Sequence, residues 1–428
     1  MSIRILYIKC KSKVRDVIQV LKFYIQIRQS RILHKKALAG LKEKPQINCV
    51  FFVLFPDIWK YDRIYELMLQ NDRFNPIILV CPIVNFGRDN MITKMDQCYS
   101  FFQKKGYTVI KSFDDKSDTY VNVRDLNPDI IFYTNPYKGL IDDRYYITQF
   151  KDILTVYVPY FMNCSAVKGF SSNLPLHNLV WRKYAETDYE FQLSKTEQMV
   201  HGRNVVNTGY PGIELLIDNN YTPNSQPWKL GISSLKRIIW APHHTIEKGK
   251  FGHTCFLEYC DFMLEIVKKY EEKVQFVFKP HPILRSKLDL LWGKEKTDAY
   301  YNKWANMPNS TIHESDYIDL FLTSDAMIHD SGSFIVEYLY VNKPVMRTLS
   351  DYPLSEVFNK FGLDCLKQYY MSTSKEDIEQ FIQNVINGVD PMKEQRTKFV
   401  NEVLMPKDGM PSQNIINDII DSIERQRV

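Results

Sequence analysis

The feature that most constrains the fold is a regular alternation of short apolar runs with longer amphipathic segments. Runs such as 48–55 (NCVFFVLF), 236–242 (KRIIWAP) and 274–280 (VQFVFKP) are rich in β-branched and aromatic residues. The segments between them carry apolar residues at helical spacing. Apolar strands that alternate with helices are typical of parallel sheets covered by helices on both faces. The sequence therefore predicts an α/β protein with doubly wound sheets.

The length and the positions of loop-forming residues predict two such domains. A chain of 428 residues exceeds the usual size of a single core. The stretch 221–234 (YTPNSQPWKLGISS) interrupts the alternation and is typical of an interdomain connection. We therefore predict domains at 47–221 and 222–387, followed by a helical segment at 388–428. Two open α/β domains are expected to face a cleft, with ligands beyond the carboxyl ends of the strands.

The first 46 residues form a separate, strongly basic segment. They contain 12 Lys or Arg and 2 Asp or Glu, whereas the remaining chain has a net charge of −5. Apolar residues at 14, 17, 18, 21, 24, 25 and 32 follow a helical spacing. The pattern predicts an amphipathic helix that lies on an anionic membrane surface. The alternatives are a basic helix packed on its own domain and a mobile arm.

Other global features bear on the cellular location. No apolar run is long enough to predict a spanning helix, and the N-terminus is a poor secretory signal. The eight cysteines show no C-x-x-C pair and no metal-ligand spacing, which is typical of reduced cytosolic thiols. We therefore expect a cytoplasmic protein that is peripheral on a membrane. No nucleic-acid-binding module is apparent.

Candidate functional residues follow four of the predicted strands. Because ligands of open parallel sheets bind where the strands end, these positions are the first candidates for a site. They are His243 and His244 in WAPHHT, Lys279 and His281 in FKPHP, the stretch 329–333 (HDSGS), and Tyr160 and Asn163 in VYVPYFMN.

The stretch 329–333 separates an apolar strand from the apolar segment 333–342, which we predict to be a helix. Ser331 or Ser333 could cap that helix, and Gly332 would let a ligand approach the backbone. The first turn of such a helix suits a phosphate. A capped helix without a ligand is the alternative, and His329 is equally compatible with a core position.

The KPHP stretch gives the sharper signal. Two prolines fix the backbone around His281, and Lys279 adds a second cation, which suits contact with a phosphate oxygen or leaving group. A rigid turn with a surface histidine is the alternative. Of the adjacent His243 and His244, at most one is expected to face the site. Their spacing does not fit zinc, and we predict no metal.

Together these motifs resemble the CDP-glycerol glycerophosphotransferase family, the polymerases and primases of teichoic acids and related capsular polymers. FKPHP and 324–346 (SDAMIHDSGSFIVEYLYVNKPVM) are similar to the family's K-P-H-P and S-D…T-D-Y-S-S…K/R-P motifs. Asp330 and Ser333 fall on the Asp and second Ser of that motif. Glu337 and Asp351 stand where the family has further acidic residues.

The resemblance implies a GT-B fold with two facing Rossmann-like domains. It also implies transfer of a polyol phosphate from a CDP-glycerol-like nucleotide donor to a lipid-linked or oligosaccharide acceptor, with no cofactor required. On this basis we expect His281 and Asp330 to be catalytic and Tyr160 and Asn163 to lie on the acceptor side. The donor and its phosphates would be bound by Lys279, His243, His244, Ser331, Gly332, Ser333, Glu337 and Asp351.

One departure from the family pattern affects the predicted chemistry. The family's first domain carries W-H-G-T-P, whose histidine resembles a catalytic base, whereas the matching stretch here is YVPYFMN. His177 or Glu186 would have to serve instead. The alternatives are a glycosyltransferase that uses a UDP- or CMP-sugar for surface polysaccharide synthesis, and a non-transferase such as an epimerase-like enzyme or a degenerate binding scaffold.

Overall fold

The structure, a computed structural model, describes residues 3–169, 172–225, 227–229, 235–246 and 254–427, with side chains from residue 17 onwards. The chain divides into two compact units. The first unit comprises Met1–Phe161, Gly169–Gly212 and Pro406–Val428, and the second comprises Met162–Lys168 and Ile213–Met405. The C-terminal helical segment therefore belongs partly to each unit, which differs from the boundaries expected from the sequence.

The strands form one parallel sheet in each unit, plus a short antiparallel hairpin. They are β1 Ile47–Val53, β2 Phe74–Val80, β3 Val109–Lys111, β4 Phe113–Asp114, β5 Thr119–Tyr120, β6 Ile130–Tyr133, β7 Leu154–Tyr157, β8 Arg182–Ala185, β9 Val205–Asn207, β10 Lys236–Ala241, β11 Val274–Phe278, β12 Ser310–Ile312, β13 Ala326–His329, β14 Val345–Thr348 and β15 Tyr370–Ser372.

The helices occupy most of the segments between the strands. They are α1 Ile3–Leu41, α2 Asp62–Leu69, α3 Arg88–Lys104, α4 Pro175–Leu179, α5 Asp188–Glu197, α6 Glu214–Ile217, α7 Phe256–Lys269, α8 Leu284–Trp292, α9 Lys294–Asn306, α10 Ile318–Thr323, α11 Leu354–Val357, α12 Lys360–Leu366, α13 Lys375–Ile386, α14 Lys393–Phe399 and α15 Pro411–Arg425. Short 3₁₀ turns complete the connections, including Glu337–Val341.

Both sheets have the strand order of a doubly wound fold. The first runs β3-β2-β1-β6-β7-β8-β9 and the second runs β12-β11-β10-β13-β14-β15, all strands being parallel. When only the strands of each sheet are numbered in chain order, both orders begin 3-2-1-4-5-6, the Rossmann pattern. The order reverses between β1 and β6 in the first sheet and between β10 and β13 in the second. The prediction of two doubly wound, Rossmann-like domains is confirmed.

The basic N-terminal helix is part of the first unit rather than a separate segment. Its second half buries a stripe that includes Ile27, His34, Leu38 and Leu41, and it contacts α4, β7 and α15. Several apolar side chains nearer its start remain exposed. Within the described residues, no helix has the length and apolar character needed to cross a membrane.

Two local predictions from the sequence are wrong. The helical spacing of 283–305 predicts a single helix, but Gly293, with a φ of +83°, separates α8 from α9. The helix expected over 333–342 is replaced by turns and the 3₁₀ segment Glu337–Val341.

The expected connection at 221–234 falls partly outside the described residues, at 226 and 230–234. Its Trp228 is buried, and the Trp228 Nε1–H donates to Thr323 Oγ1. The seven cysteines whose side chains the structure describes are buried.

Candidate functional site

The predicted site residues of the second unit converge where three neighbouring strands end. Strand β10 pairs with β11 on one side and with β13 on the other. His243 follows β10, His281 follows β11 and Asp330 follows β13. Because the order of strands reverses between β10 and β13, this edge is where open α/β sheets bind ligands.

The Asp330 side chain links the end of β13 to two other segments, the one that follows β10 and the one that precedes α7. Its side chain is buried, and its Oδ1 and Oδ2 accept the backbone N–H groups of His243 and Cys255, each at 2.7 Å. Burial raises the pKa of Asp330, an effect that these two hydrogen bonds oppose. Since both carboxylate oxygens are already engaged by the backbone, the geometry favours Asp330 as a positioning residue rather than as the catalytic group predicted from the sequence.

His243, His244 and His281 form a cluster of three imidazoles. The ring centroid of His244 lies 4.2 Å from those of both His243 and His281, and the other pair is 4.8 Å apart. The expectation that at most one of the adjacent histidines faces the site is therefore wrong. Strand alternation does not apply to them because both follow the end of β10. Three imidazole nitrogens within 4.8 Å of one another also fit the ligand set of a divalent metal.

The hydrogen bonding of His281 favours a role as a donor rather than as a metal ligand. Its Nδ1 accepts the Ile283 N–H at 3.2 Å, which leaves the ring proton on Nε2. Burial, together with the nearby His244 and Lys287, lowers the pKa of His281 to about 4. At neutral pH the ring is therefore an uncharged imidazole whose Nε2–H can donate to an anionic oxygen.

Lys279 lies close to the end of β11, but its ammonium group is used within the protein. It is buried, and its Nζ donates to the Ser315 carbonyl at 2.6 Å. This bond fixes the connection that follows β12. The structure therefore places Lys279 next to the site as a cation without directing it at an open position.

The Ser331–Ser333 turn lies beyond the end of β13. Ser331 is buried and its Oγ accepts the Ser333 N–H at 3.1 Å, whereas Ser333 is exposed. A Cβ atom added to Gly332 would meet only the Phe358 ring, at 3.7 Å. No α-helix follows, so the predicted helix N-terminus is absent here, and the turn itself is the remaining candidate for contact with a phosphate.

Arg347 is a functional candidate that sequence reasoning missed. It lies in β14, is fully buried, and its Nη1 donates to the Ser331 carbonyl at 3.2 Å. Its guanidinium carbon is 5.0 Å from the centroid of the Phe358 ring. Burial lowers the pKa of Arg347, while the charge of Asp330 opposes that shift. A charged residue within the buried strand VMRT was the signal in the sequence.

The other two acidic candidates of the second unit have different environments. Glu337 is buried in the 3₁₀ segment that follows the Ser331–Ser333 turn. Asp351 is exposed in the loop after β14. Of these two carboxylates, only Asp351 is therefore open to solvent.

The two predicted acceptor-side residues belong to different units. Tyr160 is in the first unit, where its carbonyl accepts the Tyr210 hydroxyl at 2.6 Å. Asn163 is in the second unit, where its carbonyl accepts the Asn359 side-chain amide at 2.9 Å. The prediction that both lie in the first domain is therefore wrong, because the chain passes into the second unit after Phe161.

His177 occupies the core of the first unit. It is fully buried, its Nδ1 accepts the Leu174 N–H at 3.2 Å, and its ring lies 5.1 Å from that of Tyr157. Burial, and to a smaller extent the positive charge of Lys183, lowers the pKa of His177 well below its ordinary value. A base must reach the hydroxyl that it deprotonates, so this position does not favour the predicted catalytic role. Glu186, the other candidate, is also buried.

Comparison with known proteins identifies the family. The family described as CDP-Glycerol:Poly(glycerophosphate) glycerophosphotransferase matches residues 184–421, more than half of the chain. The chain belongs to this family. It is therefore a transferase of the CDP-glycerol type, as the motifs predicted. A search of curated proteins found no match.

Solved structures show the same fold. The H444N variant of the wall teichoic acid polymerase TagF is similar at a TM-score of 0.58 and 13% identity, covering 97% of this chain and 98% of that one. A putative UDP-N-acetylglucosamine 2-epimerase from Listeria monocytogenes is similar at 0.57 and 14%, covering 89% and 97%. A complex of S. aureus MnaA with UDP is similar at 0.54 and 18%, covering 87% and 96%. The predicted GT-B fold class is confirmed.

Proposed function

We propose that this transferase moves a polyol phosphate, such as glycerol phosphate, from a CDP-linked donor to a lipid-linked or glycan acceptor in cell-wall or capsular polymer synthesis. The observation that carries the proposal is the cluster of His243, His244 and His281 beside the Ser331–Ser333 turn, at the point where the sheet order reverses. Membership of the glycerophosphotransferase family supports the donor.

The proposed reaction is a displacement at phosphorus. An acceptor hydroxyl oxygen forms a bond to the donor phosphorus that bears the polyol, and the bond from that phosphorus to the bridging oxygen breaks. CMP leaves with the electron pair, and the hydroxyl loses its proton to a base. The bridging or equatorial oxygens gain negative charge in the transition state, and donors fixed in place stabilise that charge most effectively.

In this scheme His281 donates from Nε2 to an oxygen of the diphosphate. Its proton is fixed on that nitrogen by the bond from the Ile283 N–H to Nδ1. Because its pKa is about 4, the ring donates without being charged at neutral pH. The backbone of the Ser331–Ser333 turn and the exposed Ser333 hydroxyl supply further donors. No metal ion or other cofactor is required in this proposal.

One observation on the acceptor side favours a second candidate function. Of the three histidines in the first unit, His34 and His177 are buried and His201 precedes β9, away from the carboxyl ends of the strands. Among the residues that the structure describes, the first unit therefore offers no imidazole base at those ends. A glycosyltransferase with a UDP- or CMP-sugar donor is the alternative that this absence favours.

Thermal unfolding with a panel of nucleotides separates the two candidates. The panel contains CMP, CDP-glycerol, CDP-ribitol, UDP, UDP-sugars and CMP-sugars. A ligand present at a hundred times its Kd stabilises the folded protein by about 2.7 kcal/mol. We expect CDP-polyols to raise the Tm most and CDP-glycerol to yield CMP when an acceptor is added. A larger shift with UDP- or CMP-sugars would replace the proposal with the glycosyltransferase.

We also propose that the enzyme works at the cytoplasmic face of the bacterial plasma membrane, where a lipid-linked acceptor would be presented. The basic charge of residues 1–46 and the exposed apolar side chains of α1 support this location. Co-sedimentation with anionic vesicles tests it. Recovery of the protein in the supernatant at physiological salt would refute it.

A further inference from the structure

A groove in the first unit combines apolar walls with a basic rim. It has a volume of about 890 Å³ and lies between α1 and the segment that follows α5. Leu21, Ile25 and Ile32 of α1 line it, and they are 57%, 57% and 53% exposed. Soluble proteins rarely leave adjacent large apolar side chains open to water without a binding role.

The charges around the groove have a single sign. Arg28, Arg31 and Lys35 of α1 and Arg203 of the following segment line it, and no acidic side chain occurs among the described lining residues. None of these four cations forms an ion pair within the part of the chain that the structure describes. The surface is therefore complementary to an amphiphile with an apolar chain and an anionic head group.

The helical spacing explains how one face carries both features. Leu21, Ile25, Arg28 and Ile32 are three or four residues apart and so lie on one side of α1. The buried stripe through Ile27 and Leu38 holds that side in place against the unit. The groove is therefore a fixed feature of the fold, completed by Arg203 from outside the N-terminal segment.

We propose that this groove binds one anionic phospholipid of the bilayer, with an acyl chain along the apolar wall and the phosphate at the arginines. The inference rests on the membrane location proposed above. It names the site and the ligand that would hold the protein at the membrane. It differs from a helix that merely lies flat on the surface. A flat helix would use all of its exposed apolar residues and would not need Arg203.

Matched variants distinguish the groove from a flat helix. Leu21→Ser/Ile25→Ser removes groove contacts, whereas Val17→Ser/Val20→Ser removes apolar side chains that are 58% and 48% exposed but do not line the groove. Vesicles of phosphatidylglycerol and phosphatidylcholine are titrated with each protein. We expect the groove pair to bind at least about tenfold more weakly and the control pair to change less than about twofold.

The charged rim is tested in the same way. Arg203→Gln is expected to weaken binding to the anionic vesicles about fivefold, because it removes a cation that lines the groove and would contact the bound phosphate. Lys36→Gln, an exposed α1 residue outside the groove, is the control. Vesicles of phosphatidylcholine alone should bind weakly to every variant, and free glycerol phosphate should not displace the protein.

Three results would overturn the inference. They are equal losses in the groove and control pairs, an Arg203→Gln protein that binds as the wild type does, and displacement by glycerol phosphate. The thermal shift with CDP-glycerol is measured on the same proteins and should not change. Loss of vesicle binding with an intact nucleotide shift would leave the transferase proposal standing. Retained vesicle binding without any nucleotide shift would refute only that proposal.

Discussion

The two units share one sheet topology but differ in the residues at the carboxyl ends of their strands. Both sheets begin in the order 3-2-1-4-5-6 and reverse at the corresponding place. Beyond the strands of the second sheet lie His243, His281 and Asp330, whereas the first sheet has residues such as Thr134 and Tyr160 there. We therefore propose that the anionic donor binds in the second unit, whereas the residues named for the first carry hydroxyl and aromatic groups.

The largest effect is expected from removing the neutral donor in the second unit. His281→Ala should lower kcat by about a hundredfold to a thousandfold, because a fixed donor to a developing oxyanion contributes that much. His281→Gln, which restores an N–H donor, should recover part of the loss. Steady-state release of CMP from CDP-glycerol measures this effect, with His201→Gln in the first unit as the control. Equal turnover in wild type and His281→Ala would show that the strand ends of the second unit do not supply this donor.

Gly332 tests whether a ligand approaches the Ser331–Ser333 turn. A Cβ atom at this position makes only an ordinary contact with Phe358, so Gly332→Ala should fold with an unchanged Tm. If a donor phosphate lies against the backbone, the added methyl group should weaken CDP-glycerol binding about tenfold or more. Gly40→Ala, where a Cβ atom meets nothing within 4 Å, is the control. Unchanged affinity in Gly332→Ala would place the phosphates elsewhere.

Asp330 and Arg347 should depend on each other for stability. Arg347→Met is expected to lower the free energy of unfolding by about 1–3 kcal/mol, because the Ser331 carbonyl loses its buried donor and Asp330 loses a nearby positive charge. Asp330→Asn should also destabilise, since one backbone N–H loses its acceptor. The double variant should lose less than the sum of the two. Urea unfolding of all four proteins gives the coupling energy, and strict additivity would contradict an electrostatic interaction between the two groups.

The low pKa of His281 predicts a specific dependence of stability on pH. Its pKa of about 4 is below the ordinary value of 6.5, so between these values the unfolded chain binds more protons than the folded one. Its contribution to stability is therefore complete above pH 6.5 and is lost as pH falls towards 4. His281→Gln should flatten this part of the profile relative to wild type. Parallel profiles for the two proteins would show that His281 titrates normally.

The smallest effect is expected from metal removal. Dialysis against EDTA should change turnover by less than about twofold, because His281 Nδ1 is already engaged by the Ile283 N–H. The control is wild-type protein dialysed without EDTA. A loss of activity that Zn²⁺ restores would instead make the three imidazoles a metal centre.

The sheets could be predicted from the sequence because apolar strands and amphipathic helices have different periods. The convergence of His281 and Asp330 followed from their shared position after parallel strands. The joint placement of His243 and His244 could not be predicted, since the turn after β10 is not governed by strand alternation. The missing helix at 333–342 has a similar cause: its run FIVEYLY is mostly buried, so its pattern does not distinguish a helix from packed turns.

Arg347 shows a different limit of sequence reasoning. Its charge was visible in the strand, but its bond to the Ser331 carbonyl depends on the register of β13 with β14. Asn163 shows a third limit, since only the tertiary contacts reveal that the chain passes into the second unit after Phe161.

Calorimetric titration of CDP-glycerol tests the central claim most directly, when wild type, His281→Ala and Tyr160→Phe are compared. The claim is that the second unit holds the donor at its strand ends. We predict that His281→Ala weakens binding about tenfold or more, while Tyr160→Phe leaves the Kd within about twofold of wild type. Unchanged binding in His281→Ala, together with a loss in Tyr160→Phe, would place the donor in the first unit and contradict the account.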